Sequence, residues 1–123
     1  MFNHGVGDGT KFDVNYAWPT DLIAIERFLP NSQDKHLKWR EIEGKTYYLP
    51  GEVFDPIGKE WFFRDNDLPR SDAELLGMYL IARSRETNFL LNVPPDKHGI
   101  ISAMYIAALR RLSYNIGKLG MLK

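Results

Sequence analysis

The 123-residue chain contains no cysteine, which excludes disulfides, thiolate nucleophiles and cysteine-ligated metals. It also lacks an excess of either charge, because sixteen Lys and Arg residues are matched by sixteen Asp and Glu residues. Without a basic run or patch, we expect no binding to nucleic acid. No apolar stretch approaches the roughly 18 residues of a membrane span, and the residues after Met1 do not resemble a secretory signal. The length and the 44% hydrophobic content are typical of one globular domain.

The first half of the chain predicts a loop followed by short strands. Residues 1–20 are rich in turn formers and are expected to be loop. Residues 22–25 form an apolar run that fits a buried strand or the start of a helix capped by Thr20, and we favour the strand. Residues 39–42 and 46–49 flank a glycine-containing turn, which is typical of a β-hairpin.

Glu52 follows this hairpin closely. Pro50 lacks a backbone N–H and should end the pairing of the preceding strand. We therefore expect Glu52 to lie on a loop just past a strand end.

The second half predicts the order helix, strand, helix. Ser71 and Glu74 have the spacing of a capping box, which predicts a helix over 72–84. Residues 88–93 are a compact apolar stretch, typical of a strand buried on both faces. Ser102 can cap a last helix, whose apolar residues recur at three- and four-residue steps and are Ile106, Leu109, Leu112, Ile116 and Leu119.

This order is that of an α/β unit. A complete (β/α)₈ barrel takes about 250 residues, so the chain could supply only the closing portion of one. We interpret residues 1–123 as a single partial domain with a loop-rich entry (1–20), a region of strands with the Glu52 loop (21–70) and the helix-strand-helix region (71–123).

Several motifs resemble the α-L-fucosidases of glycoside hydrolase family 29. The resemblance covers most of residues 16–112, including the stretch Trp18-Pro19-Thr20-Asp21 more weakly, and the spacing between the motifs is also similar. The motifs are Tyr47-Tyr48-Leu49-Pro50-Gly51-Glu52-Val53, Glu60-Trp61-Phe62-Phe63, Glu74-Leu75-Leu76-Gly77-Met78-Tyr79, and the long block of residues 88–99, NFLLNVPPDKHG. The resemblance implies the C-terminal portion of a TIM-like catalytic barrel, incomplete in this chain.

The resemblance also implies an activity. A retaining exo-glycosidase removes terminal α-L-fucose from a fucosylated glycan by using two carboxyl groups about 5–5.5 Å apart. Glu52 matches the family's acid/base, and its apolar neighbours in the sequence favour a neutral, proton-donating carboxyl. Trp61 matches a tryptophan that packs on the apolar face of fucose, whereas Phe62 and Phe63 are expected in the core.

The family's nucleophile is an aspartate that precedes the acid/base, and no residue of this chain is assigned to it. Asp8, Asp13 and Asp21 precede Glu52 but lie outside the matching context. We therefore expect Met1 to be an internal start, either of a truncated gene model or of an excised segment, and the chain to be inactive alone. Such a partial barrel would expose strand edges through which it could self-associate.

The sequence predicts neither a metal nor a cofactor. The three histidines, His4, His36 and His98, share no ligand spacing and are expected in loops. One departure from the family is Glu86, where a glycine is usual, and a left-handed helix cap there would cost a non-glycine residue on the order of 1 kcal/mol.

Two other functions stay open. A non-catalytic carbohydrate-binding or interaction module could use Tyr47, Tyr48, Trp61 and Phe62. A minimal glycosidase could pair Glu52 with Asp55 or Glu60. The compartment is undetermined, although the family is commonly secreted, periplasmic or lysosomal.

Overall fold

The computed structural model describes residues 20–27, 29 and 36–120, and the backbone of Asn3 and His4. In these residues the strands are β1 (Asn3–His4), β2 (Ile23–Glu26), β3 (Trp39–Ile42), β4 (Lys45–Tyr48), β5 (Gly51–Pro56) and β6 (Asn88–Asn92), and the helices are α1 (Asp72–Ser84) and α2 (Ala103–Lys118). No helix of this described part is both long and apolar enough to cross a bilayer.

Strand β1 corrects the prediction of loop throughout residues 1–20. Asn3 and His4 pair in parallel with β2, and this pairing uses only backbone N–H and C=O groups. A strand of two residues that pairs only through its backbone has no apolar pattern by which the sequence could reveal it. Thr20 is described, and the remainder of the predicted entry loop lies outside the described residues.

The chain divides into two compact units. The first comprises Met1–Asp55 and Leu80–Leu90, and the second comprises Pro56–Tyr79 and Leu91–Lys123. The interpretation of residues 1–123 as one partial catalytic domain stays a prediction.

A parallel pair of strands, β2 and β5, forms the centre of the first unit. Their register aligns Ile23 with Gly51 and Ile25 with Val53, and the described strands have the sheet order β1-β2-β5-β6. The buried cluster around these strands contains Ile23, Ile25, Ile42, Leu49, Val53 and Ala82. The strand prediction for residues 22–25 is therefore confirmed, with bounds one residue later, because Ile23–Glu26 pairs in parallel with β5.

Strands β3 and β4 form the predicted hairpin. The turn residues Glu43 and Gly44 both have positive φ, 52° and 80°, as the tight turns of two-residue hairpins require. The rings of Trp39 and Tyr48 lie 5.0 Å apart across the hairpin. The turn is one residue shorter than predicted, since Lys45 already belongs to β4.

Helix α1 begins and ends as its sequence predicts. At its start, the Glu74 N–H donates to Ser71 Oγ at 3.1 Å. At its end, Glu86 has φ 59°, its N–H donates to the Arg83 carbonyl, and the Thr87 N–H donates to the Ala82 carbonyl. These two bonds are those of a Schellman cap, with Glu86 in the left-handed position that usually holds glycine.

Helix α2 packs in the second unit. Ser102 caps it, as predicted, by accepting from the Tyr105 N–H. The core cluster of this unit contains Ile57, Leu75, Tyr105, Ala108, Leu112 and Ile116.

Strand β6 corrects one prediction. We expected it to be buried on both faces, yet no residue of β6 is buried and Leu90 is 50% exposed. β6 is the last strand of the sheet among the described residues, so no neighbouring strand covers its outer edge there.

Candidate active site

Glu52 is the second residue of β5, so its predicted position on a loop is wrong. Pro50 lacks a donor only at its own nitrogen, and its carbonyl accepts from the Ile23 N–H at 2.9 Å. Sheet pairing therefore continues through Pro50 into Gly51. The half-buried Glu52 carboxylate accepts a hydrogen bond at Oε2 from Asn88 Nδ2 at 2.8 Å.

His36 packs beside this part of β5, and sequence reasoning missed its role. His36 is 7% exposed, and its ring lies so close to Gly51 that a Cβ on Gly51 would be 3.0 Å from the ring and 3.0 Å from the Thr87 methyl group. His36 Nε2 lies 2.8 Å from the Leu49 carbonyl, which can only accept, so Nε2 bears a proton. A glycine two residues after a buried leucine was the only signal of this close approach.

Burial lowers the pKa of the His36 imidazole, and the positive charges of Arg40 and Lys38 lower it further, while the bond to Leu49 opposes both effects. Lys38 also forms an ion pair of 3.0 Å with Glu86. His36 therefore secures the chain just before Glu52 as a buried neutral imidazole.

Trp61 lies in a loop after β5 that polar contacts fasten in place. The Trp61 carbonyl accepts from Asn92 Nδ2 at 2.8 Å. The Asp67 carboxylate accepts from the backbone N–H groups of Lys59 at 2.9 Å and Glu60 at 3.1 Å. The Tyr105 hydroxyl donates to the Asp67 carbonyl at 2.6 Å, and burial, together with Asp67, raises the pKa of Tyr105.

The prediction that Phe62 and Phe63 lie in the core is wrong. Phe62 is 84% exposed and Phe63 is 39% exposed. Backbone bonds to Asp67 and Asn92 shape this loop, so it does not need to bury either ring. Both aromatic side chains are therefore available to a ligand.

Glu52 and Trp61 lie at opposite ends of β5 in the sequence, with Glu52 near its start and Trp61 after its end. Asn88, the first residue of β6, meets Glu52 near the start of β5, and the Asn92 carbonyl accepts from the Ile57 N–H just past its end. β5 and β6 therefore run in the same direction. Catalytic groups of parallel barrels lie at the carboxyl ends of the strands. Trp61 follows the carboxyl end of β5, whereas Glu52 lies near its amino end. The two residues also belong to different compact units.

The carboxylates considered as partners of Glu52 do not join it. Asp55 is three residues farther along β5, so its side chain lies on the opposite face of the strand, where Arg27 Nη1 lies 3.9 Å from its Oδ1. Glu60 is exposed in the other unit. Asp21 is exposed, and the other two early aspartates, Asp8 and Asp13, lie outside the described residues.

The histidines can be placed only in part. His36 and His98 are described, whereas only the backbone of His4 is. Within the described residues, no group of three or more potential ligands could hold a metal ion.

The second unit contains an open cleft beside the Trp61 loop. It has a volume of about 390 Å³ and is lined by Phe63, Asp65, Asp96, Lys97 and His98. The sequence analysis did not single it out, because its walls come from two segments more than thirty residues apart.

Comparisons with known proteins agree with the motifs. The chain is 35% identical over 74 residues to alpha-L-fucosidase 1 of Arabidopsis thaliana, which covers 58% of this chain and 15% of that protein. The solved structure of SpGH29 is 31% identical, with a TM-score of 0.53, over 59% of this chain and 16% of that one. No protein-family model matches.

Two further solved structures share the fold. Alpha-L-fucosidase isoenzyme 1 from Paenibacillus thiaminolyticus is 22% identical, with a TM-score of 0.60, over 78% of this chain and 21% of that one. A GH29 fucosidase of Ruminococcus gnavus in complex with fucose is 19% identical, with a TM-score of 0.68, over 79% and 23%. The chain therefore spans only about a sixth to a quarter of the length of these relatives, and its resemblance to α-L-fucosidases is confirmed.

Proposed function

We propose, from the resemblance to α-L-fucosidases, that this chain is the C-terminal portion of a retaining exo-glycosidase that hydrolyses terminal α-L-fucose from fucosylated glycans. The observation that carries the proposal is the 35% identity to the Arabidopsis enzyme over 74 residues. A helix between two neighbouring strands of like direction, β5-α1-β6, is also compatible with the closing part of a (β/α)₈ barrel.

In this proposal Glu52 is the acid/base. Its carboxyl group donates a proton to the glycosidic oxygen while a nucleophilic carboxylate, which is not assigned in this chain, attacks the anomeric carbon. The fucosyl-enzyme bond forms as the glycosidic bond breaks. The Glu52 carboxylate then takes a proton from a water molecule as the water oxygen bonds to the anomeric carbon. The fucosyl-enzyme bond breaks in the same step, which releases fucose and restores the nucleophile. Asn88 holds Oε2 and leaves Oε1 for the substrate oxygen.

Trp61 binds the sugar in this proposal, with its ring against the apolar face of fucose. Its half-buried position and the bond from Asn92 to its backbone favour a held rather than a free aromatic ring. Because Glu52 lies near the amino end of β5, its role rests on its place in the Pro50-Gly51-Glu52 motif, and it needs a direct test.

The test is a graft. The segment of SpGH29 that matches this chain is replaced by the corresponding residues of this chain, and hydrolysis of an alkyl α-L-fucoside is measured. We expect activity in the graft and a loss of about 10²–10⁴-fold with Glu52→Gln, because an alkoxide leaving group needs the proton. Glu60→Gln, which changes an exposed carboxyl in the other compact unit, is the matched control. Equal activity of the two variants would exclude Glu52 as the acid.

The isolated chain is proposed to be inactive, since it lacks an assigned nucleophile. Release of nitrophenol from an aryl α-L-fucoside by the purified 123-residue chain would contradict this. We also propose self-association along the outer edge of β6, where Leu90 is exposed. Sedimentation of the chain with and without Leu90→Lys tests it, and a monomer in both cases would refute it.

A second candidate, a non-catalytic carbohydrate-binding module, is favoured by the exposure of Phe62 at 84% and of Tyr48 at 52%. Exposed aromatic rings are typical of saccharide-binding surfaces as well as of enzyme subsites. Titration of the chain with fucose, followed by tryptophan fluorescence, separates the two functions. Saturable binding without any turnover in the graft would favour the module.

A further inference from the structure

Residues 57–70 form a loop of the second unit whose two ends are hydrogen-bonded to each other. The Arg70 N–H donates to the Ile57 carbonyl at 2.8 Å. All of these residues are described, and none of them belongs to a strand or helix. Their backbone N–H groups therefore need partners other than a ladder or a helical turn. Trp61 lies in the first half of the loop and Asp67 in the second half.

The Asp67 carboxylate is the partner of the backbone just before Trp61. Its Oδ1 accepts from the Lys59 N–H at 2.9 Å, and its Oδ2 accepts from the Glu60 N–H at 3.1 Å. Hydrogen bonds to an ionised acceptor are stronger than those between neutral groups. The Asp67 carbonyl accepts in turn from the hydroxyl of Tyr105, a buried residue of the α2 core cluster, at 2.6 Å. Asp67 therefore links the two residues before Trp61 to the core of the second unit.

Gly58 provides the space for this carboxylate. A Cβ on Gly58 would lie 2.7 Å from both carboxylate oxygens of Asp67, closer than a carbon atom can approach them. Gly58 does not have a positive φ, so its backbone would accept alanine without strain. Position 58 excludes a side chain only while Asp67 keeps its place. The two residues are therefore sterically coupled.

Side chains hold the Trp61 backbone on both sides. Asp67 holds the N–H groups of the two preceding residues, and Asn92 Nδ2 donates to the Trp61 carbonyl at 2.8 Å. Asn92 alone fixes only the carbonyl side of Trp61. Without the carboxylate, the backbone dihedrals before Trp61 would be free to rotate, and the aromatic ring would move with them.

We propose that Asp67 is a positioning residue that orders Trp61 through the backbone of Lys59 and Glu60. It does not need to contact a substrate itself. The inference rests on the proposed function only for the use of the Trp61 ring as a sugar contact, and it does not involve Glu52. A ring that is ordered before binding loses less entropy when a ligand packs on it. Asp67 should therefore contribute to substrate binding rather than to bond cleavage.

The first measurement is ¹⁵N relaxation of the 123-residue chain. Order parameters of the amides of residues 59–61 should be about 0.85 in the native chain and below about 0.6 in Asp67→Ala. Asp67→Asn retains the size of the side chain and one acceptor oxygen, so it should lower the order less. Asp65→Ala removes an exposed carboxyl from the same loop and is the matched control, which should match the native chain. Unchanged order in both Asp67 variants would overturn the proposal.

The coupling to Gly58 gives an independent check in the same chain. Gly58→Ala should lower the order of residues 59–61 as Asp67→Ala does, because its Cβ displaces the carboxylate. In the Asp67→Ala background, Gly58→Ala should have no further effect. Additive losses in the double variant would overturn the proposed coupling, since the two residues would then act separately.

The second measurement separates positioning from stability in the enzymatic graft. Asp67→Ala should raise KM for the alkyl α-L-fucoside about three- to tenfold with kcat unchanged, as Trp61→Ala should, because a lost binding contact of this kind changes KM alone. A merely structural role would instead lower the amount of folded enzyme, and so the apparent kcat, at constant KM. In the Trp61→Ala background, Asp67→Ala should not raise KM further.

The outcomes distinguish this inference from the proposed function. A KM that is raised by Trp61→Ala but not by Asp67→Ala would overturn the positioning role. An inactive graft, or a KM that Trp61→Ala leaves unchanged, would remove only the proposed function. The loss of order at residues 59–61 in the isolated chain would then still support Asp67 as the residue that positions Trp61.

Discussion

Replacing Glu86 by glycine should remove a backbone cost from the folded chain, and the structure allows the contributions that oppose this gain to be worked out. Glu86 has φ 59° in the Schellman cap of α1, a conformation that costs an L-residue roughly 1–2 kcal/mol. Glycine removes this cost but adds about 0.4–1 kcal/mol of entropy in the unfolded chain. It also removes the 3.0 Å ion pair with Lys38, which is partly exposed and is worth about 0.2–1 kcal/mol.

The cycle that separates these effects uses Glu86→Gly, Glu86→Ala and each of them with Lys38→Met. Glycine and alanine both lose the ion pair, so their difference isolates the backbone cost, and we expect glycine to be more stable by about 1 kcal/mol. This corresponds to a midpoint about 4 °C higher in thermal unfolding followed by circular dichroism. In the Lys38→Met background the ion pair is already absent, so Glu86→Gly should raise the free energy of unfolding by the whole net backbone gain of about 1 kcal/mol. Equal stabilities of the glycine and alanine variants would refute the assignment of strain to this residue.

Three further predictions follow from the same contacts. Gly51→Ala should cost about 1–3 kcal/mol in urea unfolding, because its Cβ would meet the His36 ring and Thr87 at 3.0 Å; unchanged stability would show that His36 yields easily. Tyr105→Phe should lower the free energy of unfolding by about 0.5–1.5 kcal/mol, because it removes the hydroxyl that donates to the Asp67 carbonyl. A thermal midpoint equal to that of the native chain would contradict this. Because the pKa of His36 is lowered in the folded chain, the unfolded chain binds more protons, so stability should fall as pH decreases below about 6.5. A pH dependence of the thermal midpoint that is unchanged in His36→Gln would contradict this.

The functional conclusions depend differently on sequence and on geometry. The motif around Glu52 comes from sequence similarity, whereas its position near the amino end of β5 is visible only in the structure. The reverse holds for Asp67 and Gly58. They show no motif spacing, and only the folded loop brings the carboxylate against the glycine. The graft and the measurement of order at Trp61 therefore test separate properties of the chain.

Local signals predicted the elements whose formation depends on nearby residues. The hydroxyls of Ser71 and Ser102 cap both helices as expected, and the glycine turn at Gly44 closes the hairpin. Caps and turns are decided within four residues, so a single sequence contains the information that they need. The cost of Glu86 at the end of α1 was predicted from the resemblance instead, since the family usually has glycine there.

Tertiary packing decided which faces of these elements are buried. In α2 the buried stripe is Tyr105, Ala108, Leu112 and Ile116, whereas the expected Ile106 is 38% exposed and Leu119 is 54% exposed. The sequence by itself determined that α1, α2, β2 and the hairpin form, because side-chain periodicity, capping and turns are local, whereas it predicted loop at β1 and at Glu52 in β5. Only the assembled structure determined that β6 leaves Leu90 exposed, that Phe62 is accessible and that His36 is buried against Gly51, because burial depends on which distant segment packs alongside.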